Sequence, residues 1–148
     1  MACCSKRSSV AAVVTYTYPK TSRHMICDDS SQNRMILARI LKKLLHVEVD
    51  EAENWEQAHA LIKEHGEYAI IWQDFALGVN EPNGGEICTM LRTQYEYKGI
   101  IICLSGFTDA KTREACRVCG MNGFVAKPFN VKTVRELGEK HAYPPILQ

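Results

Sequence analysis

Short apolar runs alternate with helical patterns along most of the chain. The runs span 24–27, 47–52, 68–73, 100–104 and 123–126, and their lengths are typical of strands; the second alternates apolar and charged residues, like a half-exposed strand. Between them, apolar residues recur at the spacing of a helix face, as Leu37, Leu41 and Leu44 do within 33–45. Similar helical stretches span 54–65, 86–94, 109–119 and 130–140. Ser30 or Ser31 and Asn130 are candidate N-caps, and Gly120 is a candidate C-cap.

This alternation predicts an α/β fold, with a parallel sheet covered by helices on both faces. The first, third and fourth runs are almost continuously apolar, as strands buried on both faces should be. We expect one domain over residues 24–141, after an extension at 1–23 and before a tail at 142–148. Neither terminal segment is long enough for an output domain, so we expect none.

Composition excludes several classes of protein. The chain has 148 residues, 46% of them hydrophobic and 24% charged, which is ordinary usage for a single globular domain. A net charge of +1 provides no strong field to attract nucleic acid. No apolar run approaches the roughly 20 residues of a membrane helix. We therefore expect a cytoplasmic protein, or a nuclear one if its source is eukaryotic.

Seven cysteines, an odd number, fit free thiols in a reducing compartment better than a disulfide framework. Cys116 and Cys119 have CxxC spacing, but no second pair or nearby histidine completes a zinc site, so we expect no metal there. Cys3 and Cys4 are candidates for acylation, although Ala2 replaces the glycine that myristoylation requires.

Polar residues follow four of the five predicted strands. Asp28 and Asp29 end the first, Asp74 the third and Ser105 the fourth, and Lys127 ends the fifth. In an open parallel sheet these ends form one crevice, where sites lie. Three carboxylates crowded together repel one another, and a hard cation with oxygen ligands relieves that repulsion. The pattern therefore predicts a Mg²⁺ site.

A carboxylate, Mg²⁺, a lysine and a hydroxyl together suit phosphoryl transfer, because cations neutralise the phosphoryl oxygens during in-line attack. An aspartate can itself be the nucleophile and form an acyl phosphate. Taken singly, the same residues are equally consistent with helix caps, turns and a solvated strand end. Their coincidence at one edge of a sheet favours a site.

The chain resembles the receiver domains of response regulators over residues 24–141. The resemblance rests on Asp28-Asp29-Ser30, on Asp74 after an apolar strand, on Leu104-Ser105-Gly106 and on the segment 120–129, which contains Lys127-Pro128. The spacings 74 − 29 = 45, 105 − 74 = 31 and 127 − 105 = 22 are typical of that family. It implies a flavodoxin-like (βα)5 fold with a doubly wound sheet in strand order 2-1-3-4-5.

The resemblance also implies a role for each site residue. Asp74 would accept the phosphoryl group, Asp29 would bind Mg²⁺ directly and Asp28 would act through water. The backbone carbonyl of Ala76 would complete the metal site. Ser105 and Lys127 would contact the phosphoryl oxygens, Phe124 would be an aromatic switch, and the Lys127–Pro128 peptide would be cis.

The implied partner is a histidine kinase or a histidine-containing phosphotransfer protein, and we expect a signalling domain rather than an enzyme. It would signal by a change of shape, or act as a relay or phosphate sink. The oligomeric state is left open. One alternative is a degenerate receiver that binds protein without being phosphorylated. A haloacid-dehalogenase-type phosphatase lacks its second aspartate here, where Ala76 stands, and flavin binding lacks a phosphate loop after the first strand.

The chain departs from the receiver pattern directly after Asp74. Receivers usually have a methionine-proline pair a few residues on, whereas this chain continues through residues 75–85 without it. If Gly85 is the family's usual glycine, the loop carries about three extra residues. Without the proline the backbone has more freedom, and the presentation of the Ala76 carbonyl is then an open question.

Overall fold

The computed structural model describes residues 23–142 of the chain. Most of the expected N-terminal extension, with Cys3 and Cys4, and the tail after residue 142 lie outside the described residues. Strands and helices alternate throughout the described part. In chain order they are β1 (Arg23–Cys27), α1 (Ser31–Leu45), β2 (Glu48–Ala52), α2 (Trp55–His65), β3 (Ile70–Asp74), α3 (Gly84–Thr93), β4 (Ile100–Ser105), α4 (Ala110–Val118), β5 (Gly123–Ala126) and α5 (Val131–Ala142).

The five strands form one parallel sheet in the order β2-β1-β3-β4-β5. The predicted flavodoxin-like fold is therefore confirmed. The chain order reverses between β1 and β3, which are direct neighbours in the sheet. Such a reversal opens a crevice at the carboxyl ends of the two strands, because the connections leave them toward opposite faces. The ends of β1 and β3 are those that carry aspartates.

Alternate residues of the strands pack into two hydrophobic cores, one on each face of the sheet. One core contains Cys27, Ile71 and Cys103 from the strands, packed with residues of α2, α3 and α4. The other contains Ile26, Trp72 and further strand residues, packed with residues of α1 and α5. All five residues of β3 are buried, because this central strand is covered on both faces.

Polar caps fix where the helices begin. Side chains at the N-termini accept hydrogen bonds from backbone N–H groups of the first helical turn, which otherwise lack partners. These caps are Ser30, Asn54, Asn83, Asp109 and Asn130. Most of the predicted element ends differ from the observed ones by one or two residues. Gly120, the expected C-cap of α4, follows the observed cap Cys119 and has a φ of 99°.

The start of α3 differs from the prediction in a way that matters for the site. The helix begins at Gly84 rather than at residue 86, because Asn83 and Glu86 form a reciprocal capping box. Gly84, not Gly85, lies against the end of β3: a Cβ there would be 2.7 Å from the carbonyl oxygen of Asp74. The loop between β3 and this glycine is thus one residue shorter than Gly85 would have made it.

A histidine and a tryptophan form a polar pair inside the sheet. His24 is almost fully buried, and its Nδ1 atom accepts a hydrogen bond of 3.2 Å from the indole Nε1 of Trp72. That bond requires an unprotonated Nδ1, and burial lowers the pKa of His24 to about 4. The folded protein therefore holds this imidazole neutral.

We predict that His24 makes folding sensitive to mild acid. Between pH 6.5 and 4 the unfolded chain binds a proton at His24 that the folded chain excludes, so the free energy of unfolding falls as pH falls. A shift of this size corresponds to a loss of about 3 kcal/mol. Urea unfolding across this range should show a steeper decline for the parent than for His24→Gln, whose side-chain oxygen can accept the Trp72 bond without titrating. Parallel curves would contradict the assignment.

Candidate functional site

The polar residues after four strands meet at the carboxyl edge of the sheet. Asp28 and Asp29 directly follow β1, Asp74 is the last residue of β3, and Ser105 is the last of β4. Lys127 directly follows β5, and its backbone N–H donates a 2.8 Å hydrogen bond to the carbonyl of Ser105. The parallel pairing of β3, β4 and β5 carries these residues to the same edge. The expected single crevice is thus present.

Three carboxylates form the centre of this site. Asp28, Asp29 and Asp74 each offer an oxygen, and these oxygens lie within 4.8 Å of one another. Asp28 and Asp74 are buried, whereas Asp29 is exposed to solvent. This arrangement is unfavourable, because the two buried carboxylates lose hydration and all three repel one another.

Lys127 is the cation that offsets part of this repulsion. Its Nζ lies 2.8 Å from Asp28 Oδ2 and 3.0 Å from Asp74 Oδ2, so one ammonium group joins the ends of three strands. Burial opposes the charge on Lys127, but the two carboxylate contacts outweigh burial and raise its pKa. One lysine against three carboxylates leaves the cluster with a negative charge.

The pKa of the Asp74 carboxyl group is raised well above its ordinary value. Burial raises its pKa to about 6, the Asp28 charge adds to that rise, and the contact with Lys127 opposes it. Its Oδ1 atom accepts a 3.2 Å hydrogen bond from the backbone N–H of Ala76. Ala76, expected at the metal site, is thus tied to Asp74 through its amide.

Ser105 and Phe124 occupy different parts of the region. The Ser105 hydroxyl oxygen accepts a 3.0 Å hydrogen bond from the backbone N–H of Phe107. Phe124 lies within β5, paired with Cys103 and two residues before the end of the strand at Ala126. It is partly exposed, and the guanidinium of Arg113 lies 4.3 Å from the centre of its ring. The Lys127–Pro128 peptide is cis.

Two supporting contacts to the acidic pair were missed by the sequence reasoning. The backbone N–H of Ser30 donates to Asp28 Oδ1 at 2.9 Å, and Arg34 donates from Nη1 to the Asp28 carbonyl at 2.8 Å. Arg34 is also 3.6 Å from Glu51, so it connects the acidic turn to β2. The sequence carries no signal for this role of Arg34, because its partner is a backbone atom.

The unusual loop after Asp74 is fixed at several points. The carbonyl of Phe75 accepts a 2.8 Å hydrogen bond from Gly84, and Glu81 accepts a 3.3 Å bond from the backbone N–H of Trp55 at the start of α2. Val79 in this loop and Phe107 after β4 are both strongly exposed. Val79 and Phe107 line an apolar groove next to the acidic cluster.

The family model that describes the response regulator receiver domain matches residues 25–138 of this chain. The chain belongs to the response regulator receiver family. The expectation that the chain is a receiver domain is therefore confirmed.

Curated relatives include both long sensor proteins and short single-domain regulators. The chain is 34% identical over 122 residues to the sensor protein EvgS of Escherichia coli, and the match covers 80% of this chain and 10% of that protein. It is 29% identical over 122 residues to hybrid signal transduction histidine kinase E of Dictyostelium discoideum, with 80% of this chain and 7% of the kinase covered. A CheY homolog of Campylobacter jejuni is 26% identical over 113 residues, and the match covers 76% of this chain and 85% of that protein.

Solved structures agree on the fold. A putative response regulator from Chloroflexus aurantiacus matches with a TM-score of 0.74 at 23% identity, covering 82% of this chain and 98% of that one. A response regulator from Burkholderia pseudomallei, solved with a phosphorylated aspartic acid, a calcium ion and citrate, matches with a TM-score of 0.65 at 24% identity. That match covers 76% of this chain and 63% of the other.

The donors of the acidic cluster fit a hard divalent cation. Carboxylate oxygens are the preferred ligands of Mg²⁺, and the cluster is typical of the receiver magnesium site. Asp28 Oδ2 is buried, and within residues 23–142 it has the Lys127 ion pair but no hydrogen bond of good geometry. This oxygen therefore has a lone pair available to a cation. Across the same residues, no helix has the length and apolar character needed to cross a membrane.

We predict that Lys127→Gln lowers the free energy of unfolding by about 3 kcal/mol at pH 7.5, because two buried carboxylates lose their cation. The loss should shrink toward pH 5, where Asp74 becomes protonated and its charge no longer needs a partner. Lys132→Gln is the control, since Lys132 is exposed on α5 and lies 4.0 Å from Glu136. Urea unfolding at both pH values measures the effect. Equal, small losses in the two variants would contradict it.

Proposed function

We propose that this receiver accepts a phosphoryl group on Asp74 from a phosphohistidine donor, in a Mg²⁺-dependent reaction. The observation that carries the proposal is the position of Asp74. Its carboxylate lies between Lys127 Nζ at 3.0 Å and the Ala76 N–H at 3.2 Å, next to two further aspartates. A purely structural aspartate has no need of two like charges beside it.

The reaction requires an ionised Asp74. With a pKa of about 6 the carboxylate predominates at neutral pH and remains more basic than an ordinary aspartate. One carboxylate oxygen attacks phosphorus and forms a P–O bond. The P–N bond of the donor breaks and its electron pair returns to the imidazole nitrogen; because the donor's other ring nitrogen carries a proton, the histidine leaves as neutral imidazole.

Asp28, Asp29, Asp74 and the backbone carbonyl of Ala76 would hold the metal. When bound, Mg²⁺ would offset the charge of the carboxylates and of the phosphoryl oxygens. Asp28 is already fixed by Ser30 and Arg34, and it is buried, so its carboxylate has little freedom. Asp29 is exposed to solvent, so its carboxylate would be accessible to a hydrated ion.

Lys127 and Ser105 are the residues that would contact the transferred phosphoryl group. Lys127 would exchange part of its contact with Asp74 for a phosphoryl oxygen, and the Ser105 hydroxyl would donate a hydrogen bond to another. The Ser105 oxygen now accepts from Phe107, so its proton is free to point elsewhere. Phe124 is the proposed switch, because it lies in the strand directly before Lys127.

The proposed donor is a histidine kinase or a histidine-containing phosphotransfer protein. Receiver segments match this chain within a hybrid histidine kinase and within a sensor protein, and a short CheY homolog matches along most of its own length. The phosphorylated aspartic acid of the Burkholderia regulator supports the same chemistry. The chain would act as a cytoplasmic signalling domain that phosphorylates itself, signalling by a change of shape or acting as a relay or phosphate sink.

We predict that acetyl phosphate and Mg²⁺ add one phosphate to the parent chain, detected by intact mass. Asp74→Asn should abolish the addition, because an amide oxygen is a poor nucleophile. Asp109→Asn is the matched control, since Asp109 is an exposed cap of α4 and asparagine caps equally well. Equal labelling of Asp74→Asn would place the acceptor elsewhere. An unlabelled parent that still binds a phosphotransfer protein would favour a degenerate receiver.

A further inference from the structure

A buried glutamine precedes the proposed phosphoacceptor. Gln73 is fully buried in the central strand, and its neighbours across the sheet are the thiols Cys27 and Cys103. Its surroundings are otherwise the apolar core between the sheet and α2, α3 and α4. A primary amide is a poor choice for this position by packing alone, because burying it removes four hydrogen-bonding sites from water.

The amide is only partly satisfied. Nε2 donates a 3.0 Å hydrogen bond to the backbone carbonyl of Asp74. Burial raises the pKa of the neighbouring Cys27 thiol to about 12, and the Gln73 amide opposes that rise. Within residues 23–142, Oε1 is buried and has no hydrogen-bond partner. An unpaired buried acceptor destabilises a fold, so the glutamine needs another explanation.

The bond from Gln73 completes the fixation of one peptide plane. The plane between Asp74 and Phe75 has its carbonyl held by Gln73 and its N–H held by Leu104 at 2.9 Å. Gly84 packs closely against the same carbonyl, where a Cβ would be 2.7 Å away. The plane is therefore held by two hydrogen bonds and by this close packing.

This peptide plane determines where the reacting groups point. It leads from Asp74 into Phe75, and the peptide after Phe75 carries the Ala76 N–H that holds Asp74 Oδ1 at 3.2 Å. A change in the backbone dihedral angles beside the fixed plane would shift that next peptide, and with it the carboxylate and the Ala76 carbonyl. Residues 75–78, directly after Asp74, include no proline to restrict this part of the backbone, so a side chain outside the loop contributes the constraint.

We propose that Gln73 is a positioning residue, whose amide fixes the Asp74–Phe75 peptide and so aligns the Asp74 carboxylate for attack on phosphorus. The inference rests on the proposed function of Asp74. This role explains why an amide with an unpaired oxygen occupies the core. The unpaired oxygen destabilises the fold, but the amide aligns the Asp74 carboxylate. Stability and reactivity should therefore move in opposite directions when the amide is removed.

The test replaces Gln73 with Met, which has a similar length but no donor or acceptor. Gln73→Leu is a second apolar variant, so the result does not depend on one side chain. We expect the urea midpoint to stay equal or rise, while the rate of phosphorylation by acetyl phosphate at saturating Mg²⁺ falls about tenfold or more, as misalignment of reacting groups predicts. Trp72 fluorescence, titrated with Mg²⁺ alone, should show a change in affinity smaller than the change in rate.

The matched control is Cys103→Ala, which removes a buried side chain beside Gln73 without touching the Asp74 carbonyl. It should lower the urea midpoint and leave the phosphorylation rate near that of the parent. Parental rates in both Gln73 variants would overturn the proposal. So would a loss of stability and rate together in all three variants, which would make Gln73 a packing residue. An unlabelled parent would instead contradict the proposed function itself.

Discussion

The contact of one lysine with two buried aspartates is the interaction on which the site depends. Lys127 Nζ lies within 3.0 Å of both Asp28 and Asp74, and the three residues come from the ends of β5, β1 and β3. The parallel direction of the strands brings these ends to one edge, and the order β2-β1-β3-β4-β5 makes β1 and β3 direct neighbours. A single cation does not balance three carboxylates, so the folded chain keeps a local negative charge that a divalent cation can neutralise.

Holding this charge requires a rigid backbone around Asp74. The carboxylate is positioned by Lys127 and Ala76, while the peptide that follows is held by Gln73 and closed off by Gly84. Several of these features are unfavourable for stability, among them the clustered acids and an unpaired amide oxygen. Sites commonly retain such local costs because catalytic geometry, rather than stability, is selected there.

Much of this arrangement could be predicted from the sequence, because strand ends in a parallel sheet must converge. The apolar runs before Asp28, Asp74 and Ser105 located those ends, so the fold and the acidic cluster followed. The role of Gln73 could not be predicted in this way, since its partner is a backbone carbonyl that carries no sequence signal. The start of α3 at Gly84 was missed for a similar reason: it depends on a capping box and on how closely the helix approaches β3.

The central claim is that the acidic cluster is a cation site. Without a bound cation, Lys127 offsets only part of the repulsion among the three carboxylates. Urea unfolding of the parent and of Asp29→Asn, each with and without Mg²⁺, tests it most directly. Asp29 is exposed, so its amide introduces little packing change. Without Mg²⁺ the variant should be more stable than the parent, and Mg²⁺ should stabilise the parent far more than the variant. The account would be contradicted if Mg²⁺ did not change the stability of the parent. It would also be contradicted if the variant were less stable than the parent in the absence of Mg²⁺.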